Sequence, residues 1–343
     1  MAKAVALFSG GLDSTLAILV MLKQGVDVTA ITFLNHFGCD ISDKSSCSKD
    51  PFSASVKFGF KVKLSHLSDN FLEIVKNPKF GHGKNMNPCV DCRILMLKEA
   101  KELMNLMGAD FIITGEVLGQ RPMSQRRDCF PLMDREADVK RLVLRPLSAK
   151  RLPLTFPEET GLIDREQLYD FTGRSRKPQM ALAEELGLTE YPAPAGGCLL
   201  TDPIYSYRLS DLLKHTPDPE YKDINFLRIG RHFRFSADCK IIVGRNKEEN
   251  EIISSMYDSE DYLLRVENIG SPLTVLRGMV TDSAVTAAAS LCARYSDAKH
   301  LPEVNVSVLK KGQTHYLKVQ PAKDNTLDYY RIEKNKKPEL STI

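Results

Sequence analysis

Six residues near the start of the chain, Ser9-Gly10-Gly11-Leu12-Asp13-Ser14, constrain its fold more than any other stretch. They follow the apolar run Ala4-Val5-Ala6-Leu7-Phe8 and precede Thr15-Leu16-Ala17-Ile18-Leu19-Val20-Met21-Leu22, which reads as a helix. A Gly-rich turn between a buried strand and a helix N-terminus points several backbone N–H groups at one spot, and the helix dipole favours an anion there. Gly10 and Gly11 let the backbone approach a phosphate closely, and the Ser9 and Ser14 hydroxyls add donors. Asp13 suits such a place only if a divalent cation joins it to the phosphate. No Gly-Lys-Ser/Thr is present, so this is not the P-loop of ATPases and GTPases.

The first half of the chain alternates strand-like segments (4–9, 27–34, 61–67, 111–115) with helix-like ones (14–24, 69–76, 91–107). That order predicts an α/β fold with a doubly wound, mainly parallel sheet covered on both faces. Ligands in such sheets sit beyond the carboxyl ends of the strands, where the turn at residue 9 lies. Residues 38–55 are polar and read as a loop. Helices are expected at 176–186 and 207–214, and His215-Thr216-Pro217-Asp218-Pro219 reads as a linker. Beyond it, strand-like runs at 239–244, 262–267, 273–277 and 304–309 surround an alanine-rich helix at 282–294, which predicts a second, smaller α+β domain. The expected division is 1–215, 222–330 and a charged tail at 331–343, with no internal repeat.

The length of 343 residues accommodates two domains. The formal net charge is only +3, so any surface for nucleic acid must be local. No signal pattern or long apolar run is found, which predicts a cytoplasmic protein with no membrane partner. Eight cysteines in such a compartment point to metal, cluster or thiol chemistry rather than a disulfide framework.

Pro88-Cys89-Val90-Asp91-Cys92-Arg93 precedes the amphipathic pattern Ile94, Leu95, Leu97, Ala100, Leu103, Met104. A CxxC at a helix start places two sulfurs within reach of one metal, and the helix end is expected to lower the thiol pKa. A third cysteine, Cys198, follows Pro192-Ala193-Pro194-Ala195-Gly196-Gly197, where glycines would expose the thiol. Three readings stay open. The metal ligands Cys89, Cys92 and Cys198 could carry a [4Fe-4S] cluster with one iron open to sulfide. Zinc would need a fourth ligand from Cys39, Cys47 or His82. With no metal, Cys198 would carry a persulfide and Cys92 would be its disulfide partner. Cys129, Cys239 and Cys292 read as packing residues.

The turn Ser9-Gly10-Gly11-Leu12-Asp13-Ser14 resembles the PP-loop of ATP pyrophosphatases. Those enzymes cut ATP between the α and β phosphates, adenylate a carbonyl-type oxygen and release pyrophosphate. Further segments narrow the resemblance: Ile113-Thr114-Gly115-Glu116-Val117-Leu118-Gly119-Gln120 with Ser124-Gln125, then Leu144-Arg145-Pro146-Leu147. Together with the CxxCR helix, residues 1–200 resemble the catalytic domain of tRNA 4-thiouridine synthetases of the ThiI type. The paired cysteines are also similar to those of the tRNA 2-thiouridylases. The resemblance implies that Ser9, Gly10, Gly11, Asp13 and Ser14 hold the ATP phosphates and Mg²⁺. It implies that Thr114, Gly115 and Glu116 line the nucleotide or target base, and that Asp13, Cys92 and Cys198 take part in catalysis. Cys89 matches the additional cysteine of cluster-bearing relatives. The ferredoxin-like and THUMP region of the 4-thiouridine enzymes is not represented, nor is a rhodanese-like tail.

Residues 222–320 resemble the NFACT-type RNA-binding domain through Val243-Gly244-Arg245-Asn246, Glu249-Asn250-Glu251, Gly270-Ser271-Pro272 and the helix that follows. Residues 220–343 hold 19 Lys+Arg against 17 Asp+Glu, so the domain is barely basic. Within it Arg228, Arg231, His232, Arg234, Lys240, Arg245 and Lys247, with Phe233 and Phe235 interleaved, read either as an RNA surface or as a strand with one buried face. Residues 120–151 hold nine Lys+Arg against four Asp+Glu and read as a phosphate-tracking surface or a solvated loop. The expected function is ATP-dependent thiolation of a uridine in tRNA. Its implied partners are tRNA and a sulfur donor, either a cysteine desulfurase or sulfide, and a homodimer is compatible with it. The rivals are another PP-loop ligase or sulfur-insertion enzyme acting on a small molecule, and a non-catalytic RNA-binding protein.

Overall fold

The apolar run near the start forms β1 (Lys3–Leu7), four of whose five residues are buried. In the computed structural model, which describes residues 1–37, 51–193 and 198–333, the chain divides into two compact units, Met1–Thr201 and Asp202–Ile343. In the first unit β1 leads into α1 (Leu12–Lys23), β2 (Asp27–Leu34), α2 (Pro51–Phe58), β3 (Lys61–His66), α3 (Ser68–Lys76) and α4 (Cys89–Met107). There follow β4 (Phe111–Thr114), α5 (Cys129–Glu136), β5 (Val143–Leu144), α6 (Phe156–Glu159) and α7 (Lys177–Glu185).

The five strands pair in parallel in the order β3-β2-β1-β4-β5. The chain runs outward through β2 and β3, then returns to the other side of β1 to lay down β4. The order therefore reverses between β1 and β4, where an open α/β sheet leaves a crevice at its carboxyl edge. Leu7 and Thr114 are register partners, so both strands end side by side and the two following turns face one crevice. Ala4, Ala6, Phe8, Phe111 and Ile113 pack with α1 and α7 in one core, while α4 packs with β1, β4, α3 and α5. Both faces are covered, as expected. The exposed edge strand β3 carries Lys61 and Lys63, which discourage pairing with another edge.

Residues 51–55 fell within the expected loop, yet they open α2, with Phe52 O accepting the Ser55 hydroxyl. The rest of that segment, including Cys39 and Cys47, lies outside the described residues, as do Gly196, Gly197 and residues 334–343 of the tail.

The second unit contains α8 (Pro203–His215), α9 (Tyr221–Phe226), β6 (Arg231–Ser236), β7 (Cys239–Val243), α10 (Lys247–Met256), β8 (Tyr262–Val266), β9 (Thr274–Gly278), α11 (Asp282–Arg294), β10 (Val304–Lys310), β11 (Gln313–Val319) and α12 (Asp324–Tyr330). Its strands pair antiparallel in the order β11-β10-β8-β9-β7-β6, and α11 packs its alanine-rich face on the sheet. The units divide at Thr201/Asp202 instead of at the Pro-rich run near residue 217. The reason lies on α8: Arg208 donates to Leu227 O (2.7 Å) and Gly230 O (2.9 Å) and pairs with Glu333, while Asp211 binds Arg234. These contacts tie 203–215 to the second unit.

Candidate active site

Ser9 and Gly11 follow β1, and Gly11 caps α1 in an extended conformation after Gly10 has turned the chain at φ +68°. A positive φ is what glycine supplies without strain. The Ser9 and Ser14 hydroxyls lie 3.1 Å apart, Ser14 Oγ and Thr15 Oγ1 each donate to Gly11 O at 3.0 Å, and Gly11 N donates to Ser9 Oγ at 3.4 Å. The turn is thus held by its own hydroxyls. The five expected residues of the turn lie together between the end of β1 and the first turn of α1.

The turn after β4 closes against it. A Cβ on Gly115 would stand 2.5 Å from Ser14 Cα and N and 2.6 Å from Asp13 C, a separation no real side chain tolerates. Thr114 and Glu116 were expected to line the nucleotide or base, but both side chains are buried in a supporting network. Glu116, 2% exposed, accepts from Thr114 Oγ1 (3.1 Å) and Arg145 Nε (3.0 Å), and Arg93 Nε lies 3.1 Å from its other oxygen without hydrogen-bond alignment. Arg145 also forms two bonds to Asp134 (2.9 and 2.7 Å) and stacks 4.1 Å over the Phe130 ring. Burial alone would raise the Glu116 pKa, but Arg93, Arg145 and the hydrogen bonds more than offset it and hold the carboxylate below its usual range. Glu116 therefore ties Arg93, the residue after Cys92, and Arg145 to the turn after β4.

Asp13 lies in the first turn of α1, beside the turn after β4. Gln120 Nε2 donates to Asp13 Oδ2 at 2.9 Å, while buried Oδ1 has no hydrogen-bond partner. Burial raises its pKa, against the opposing pull of Gln120, Arg176, Arg121 and Gln179. A desolvated carboxylate with an unused oxygen fits a divalent cation: Asp13 would hold Mg²⁺. Sequence reasoning missed Gln120, Arg121, Arg176 and Gln179 as site residues. The helix carrying Gln179 was expected, but its polar first turn matches no motif, and only the fold brings it beside α1.

The thiols are placed less simply. Cys89 and Cys92 occupy the first turn of α4, as expected, and Asp91 between them accepts from Lys79 N (3.0 Å) and Phe80 N (3.1 Å). The Cys89 thiol is pushed up by burial, against the opposing pull of Arg121, Arg93 and Asn87, so the expected lowering by the helix end does not prevail. Cys198 Sγ donates to Phe37 O (3.2 Å), which also accepts from Leu199 N (3.1 Å). Met86 N donates to Leu200 O (3.2 Å) and Asn85 Nδ2 to Thr201 O (2.7 Å). These bonds lace the Cys198 segment to the residues just ahead of the CxxC helix. Among the described residues, however, no three His, Cys, Asp or Glu side chains gather to hold a metal ion. The expected ligand set Cys89, Cys92 and Cys198 is therefore not assembled as a metal site. His82 bonds to Val75 O at 2.9 Å. Cys129, Cys239 and Cys292 are buried packing residues, as expected.

In the second unit the basic run is largely consumed by the fold. Phe233 and His232 are buried on β6, Arg234 is bound to Asp211, Arg245 to Glu249, and Arg231 lies 4.3 Å over the Tyr295 ring. This is the strand with a buried face, not a free cationic surface. The signature residues are latches too: Asn246 Oδ1 caps α10, Asn250 Oδ1 accepts Leu273 N (2.9 Å), and a Cβ on Gly244 would collide with Asn250. Among the described residues no helix is long and apolar enough to cross a membrane.

Comparison with known proteins gives two domain matches. Residues 1–150 match the family model Thiamine biosynthesis protein (ThiI), and residues 230–331 match the NFACT protein RNA binding domain. The chain is 34% identical over 123 residues to a probable tRNA sulfurtransferase of Thermoanaerobacter sp. (strain X514), covering 34% of this chain and 30% of that protein. It is 31% identical over 146 residues to a probable tRNA sulfurtransferase of Thermococcus kodakarensis, covering 42% and 36%. A tRNA-specific 2-thiouridylase MnmA 2 of Thermoanaerobacter sp. is 27% identical over 242 residues, covering 65% and 63%. The matches thus span 30% and 36% of the sulfurtransferases' own length. Among solved structures, a 4-thiouridine synthetase–RNA complex with bound ATP aligns at 21% identity over 55% of this chain and 52% of that one, with a TM-score of 0.34.

Proposed function

We propose that this chain transfers sulfur to a uridine of tRNA at the expense of ATP. The observation that carries this reading is the presence, in one unit, of a Gly-rich strand-to-helix turn, a buried carboxylate with one unmet oxygen and a cysteine segment laced to the start of the CxxC helix. The N–H groups that follow Ser9 would take the phosphates of ATP, and Asp13 would hold Mg²⁺. When bound, that ion supplies charge neutralisation on the phosphate oxygens. The uracil carbonyl oxygen attacks the α-phosphorus and the bond to the β-phosphate breaks, so pyrophosphate leaves with the negative charge. Preorganised N–H donors stabilise that charge without reorganising at the moment of reaction.

Adenylation turns a poor electrophile into one with a good leaving group. The terminal sulfur of a persulfide on Cys198 then attacks the activated ring carbon, and AMP departs. The Cys92 thiolate attacks the inner sulfur, which leaves one sulfur on the base and a Cys92–Cys198 disulfide that an external thiol reduces. The Cys198 thiolate acquires that sulfur by attacking the terminal sulfur of a persulfide on an external cysteine desulfurase, whose own cysteine leaves as the thiolate. A uridine stacked in a helix cannot reach a crevice at the sheet edge, so the base must leave its stack. Residues 230–331 are the part proposed to hold the RNA.

The test is a Cys198→Ala protein given tRNA, Mg-ATP and a sulfur donor. It is expected to release pyrophosphate in the presence of RNA but to form no thiouridine. Thiolation at the wild-type rate would remove the relay, and absence of RNA-dependent pyrophosphate release from the wild type would remove the reaction.

A further inference from the structure

Gln179 lies on α7, is 0% exposed, and neither its carboxamide oxygen nor its nitrogen has a hydrogen-bond partner. Burying an amide with both ends unmet is strongly disfavoured unless something else meets them. It is not alone. Gln120 Oε1, Asp13 Oδ1 and Arg176 Nε are also buried and unpaired. The other three bear on the Asp13 carboxylate, Gln120 through a formed bond, Arg176 through its charge and Gln179 at close range, with the charge of Arg121 beside them. Four unmet groups from three separated segments (the α1 start, the turn after β4 and the α7 start) mark a place built for a polar ligand. Two flanking guanidinium groups and a cation-seeking carboxylate describe its chemistry: a polyphosphate that arrives with a divalent cation.

We propose that the first turn of α7 forms the second wall of the nucleotide pocket, with Arg176 and Gln179 binding the β- and γ-phosphates that depart as pyrophosphate. This deepens the ATP reading and rests on it. Arg176 complements the charge of the leaving group, and Gln179 offers one donor and one acceptor to phosphate oxygens and metal-bound water. α7 lies beyond residues 1–150, the stretch that matches the ThiI family model.

The experiment measures binding of three probes by calorimetry without RNA: α,β-methylene ATP with Mg²⁺, inorganic pyrophosphate with Mg²⁺, and AMP. Arg176→Ala is expected to weaken the first two by about tenfold or more, the worth of a charge-assisted contact, and AMP by less than about twofold. Gln179→Leu is expected to weaken the same two probes while its Tm stays equal to or above that of the wild type, because an unpaired buried amide is removed. A fall in Tm for Gln179→Leu would show a structural amide bridged by water and overturn its role. Equal losses for AMP and pyrophosphate, or no loss, would overturn the assignment to the leaving group. Wild-type protein that binds none of the probes would overturn the ATP reading and this one together. Wild-type binding with unchanged variants overturns this one alone.

Discussion

Gly115→Ala tests the geometry on which the site depends. The added methyl would lie 2.5 Å from Ser14 Cα and N and 2.6 Å from Asp13 C. Carbon atoms rest at about 3.5–4.0 Å, so roughly 1 Å must be found. The three nearest atoms are all backbone, and the turn around Asp13 is braced by the Ser9–Ser14 and Ser14–Gly11 hydrogen bonds, so rotating a side chain does not relieve the clash. The end of β4 and the first turn of α1 must part. Overpacking of this kind costs about 1–3 kcal/mol. In a unit spanning Met1–Thr201 that corresponds to a drop in Tm of roughly 2–12 °C. The functional loss is expected to be larger, because a misplacement of about 1 Å between reacting groups costs on the order of a hundredfold. Differential scanning calorimetry and binding of α,β-methylene ATP read the two effects. Gly11→Ala is the control: its Cβ meets only Ser9 Oγ, at 3.4 Å, and Gly11 has ordinary extended angles, so that protein keeps its Tm and loses phosphate affinity alone. If Gly115→Ala retained wild-type Tm and nucleotide affinity, the two turns would not be in contact in solution and the crevice described above would be wrong.

Three other outcomes are expected. Glu116→Gln removes the carboxylate charge between Arg93 and Arg145 and destabilises the first unit by about 3 kcal/mol at pH 7. The folded Glu116 pKa lies below its ordinary value of 4.5, so its contribution is present above that value and disappears as pH falls through the lower folded one. Urea unfolding at pH 7 and at pH 3 should therefore show the difference between variant and wild type shrinking on acidification, and a pH-independent difference would contradict the ion network. Lys240, 8% exposed and without an ion-pair partner among the described residues, is lowered to about 7 by burial, with Arg234 and Arg208 adding to it and Asp211 and Asp223 opposing. The unfolded chain binds the extra proton between about 7 and 10.5, so this residue makes stability rise with pH across that window, and its penalty is fully present below it. Lys240→Met should stabilise the second unit by a few kcal/mol at pH 6, on the order of what such a shift implies, and by nothing near pH 11, as read by thermal or denaturant melts at both values. Asp13→Asn should retain the fold while losing the Mg²⁺ dependence of nucleotide binding, and unchanged Mg²⁺ dependence in calorimetry would remove Asp13 as the cation holder.

Much of the fold was legible because local signals and tertiary demands agreed. An apolar run, a Gly-Gly turn and a helical run could hardly be anything but β1, its turn and α1, and α11 fell within its expected bounds at 282–294. Elements whose residues are half polar were harder to see. β11 is largely exposed and was not among the expected strands, and α10 carries Glu248, Glu249 and Glu251 in its first turns. The Pro-rich run near 217 gave a plausible boundary, yet the buried Arg208 on α8 moved the division to residue 201. Arg208 looks like any surface arginine until its carbonyl partners are known.

By itself the chain specified the chemistry at hand: a phosphate-seeking turn with an aspartate, and cysteines in a CxxC and after a Gly-Gly pair. Those are properties of neighbouring residues, set by spacing and backbone preference, so they survive without a fold. What tertiary structure alone decided is where long-range partners fall. It turned Glu116 inward as a strut, made a strand of the Arg/Phe alternation, kept the three thiols from forming a metal site among the described residues, and brought Arg176 and Gln179 to Asp13. Burial and charge pairing depend on distances between segments far apart in sequence, and only the completed sheet and its helices set those distances.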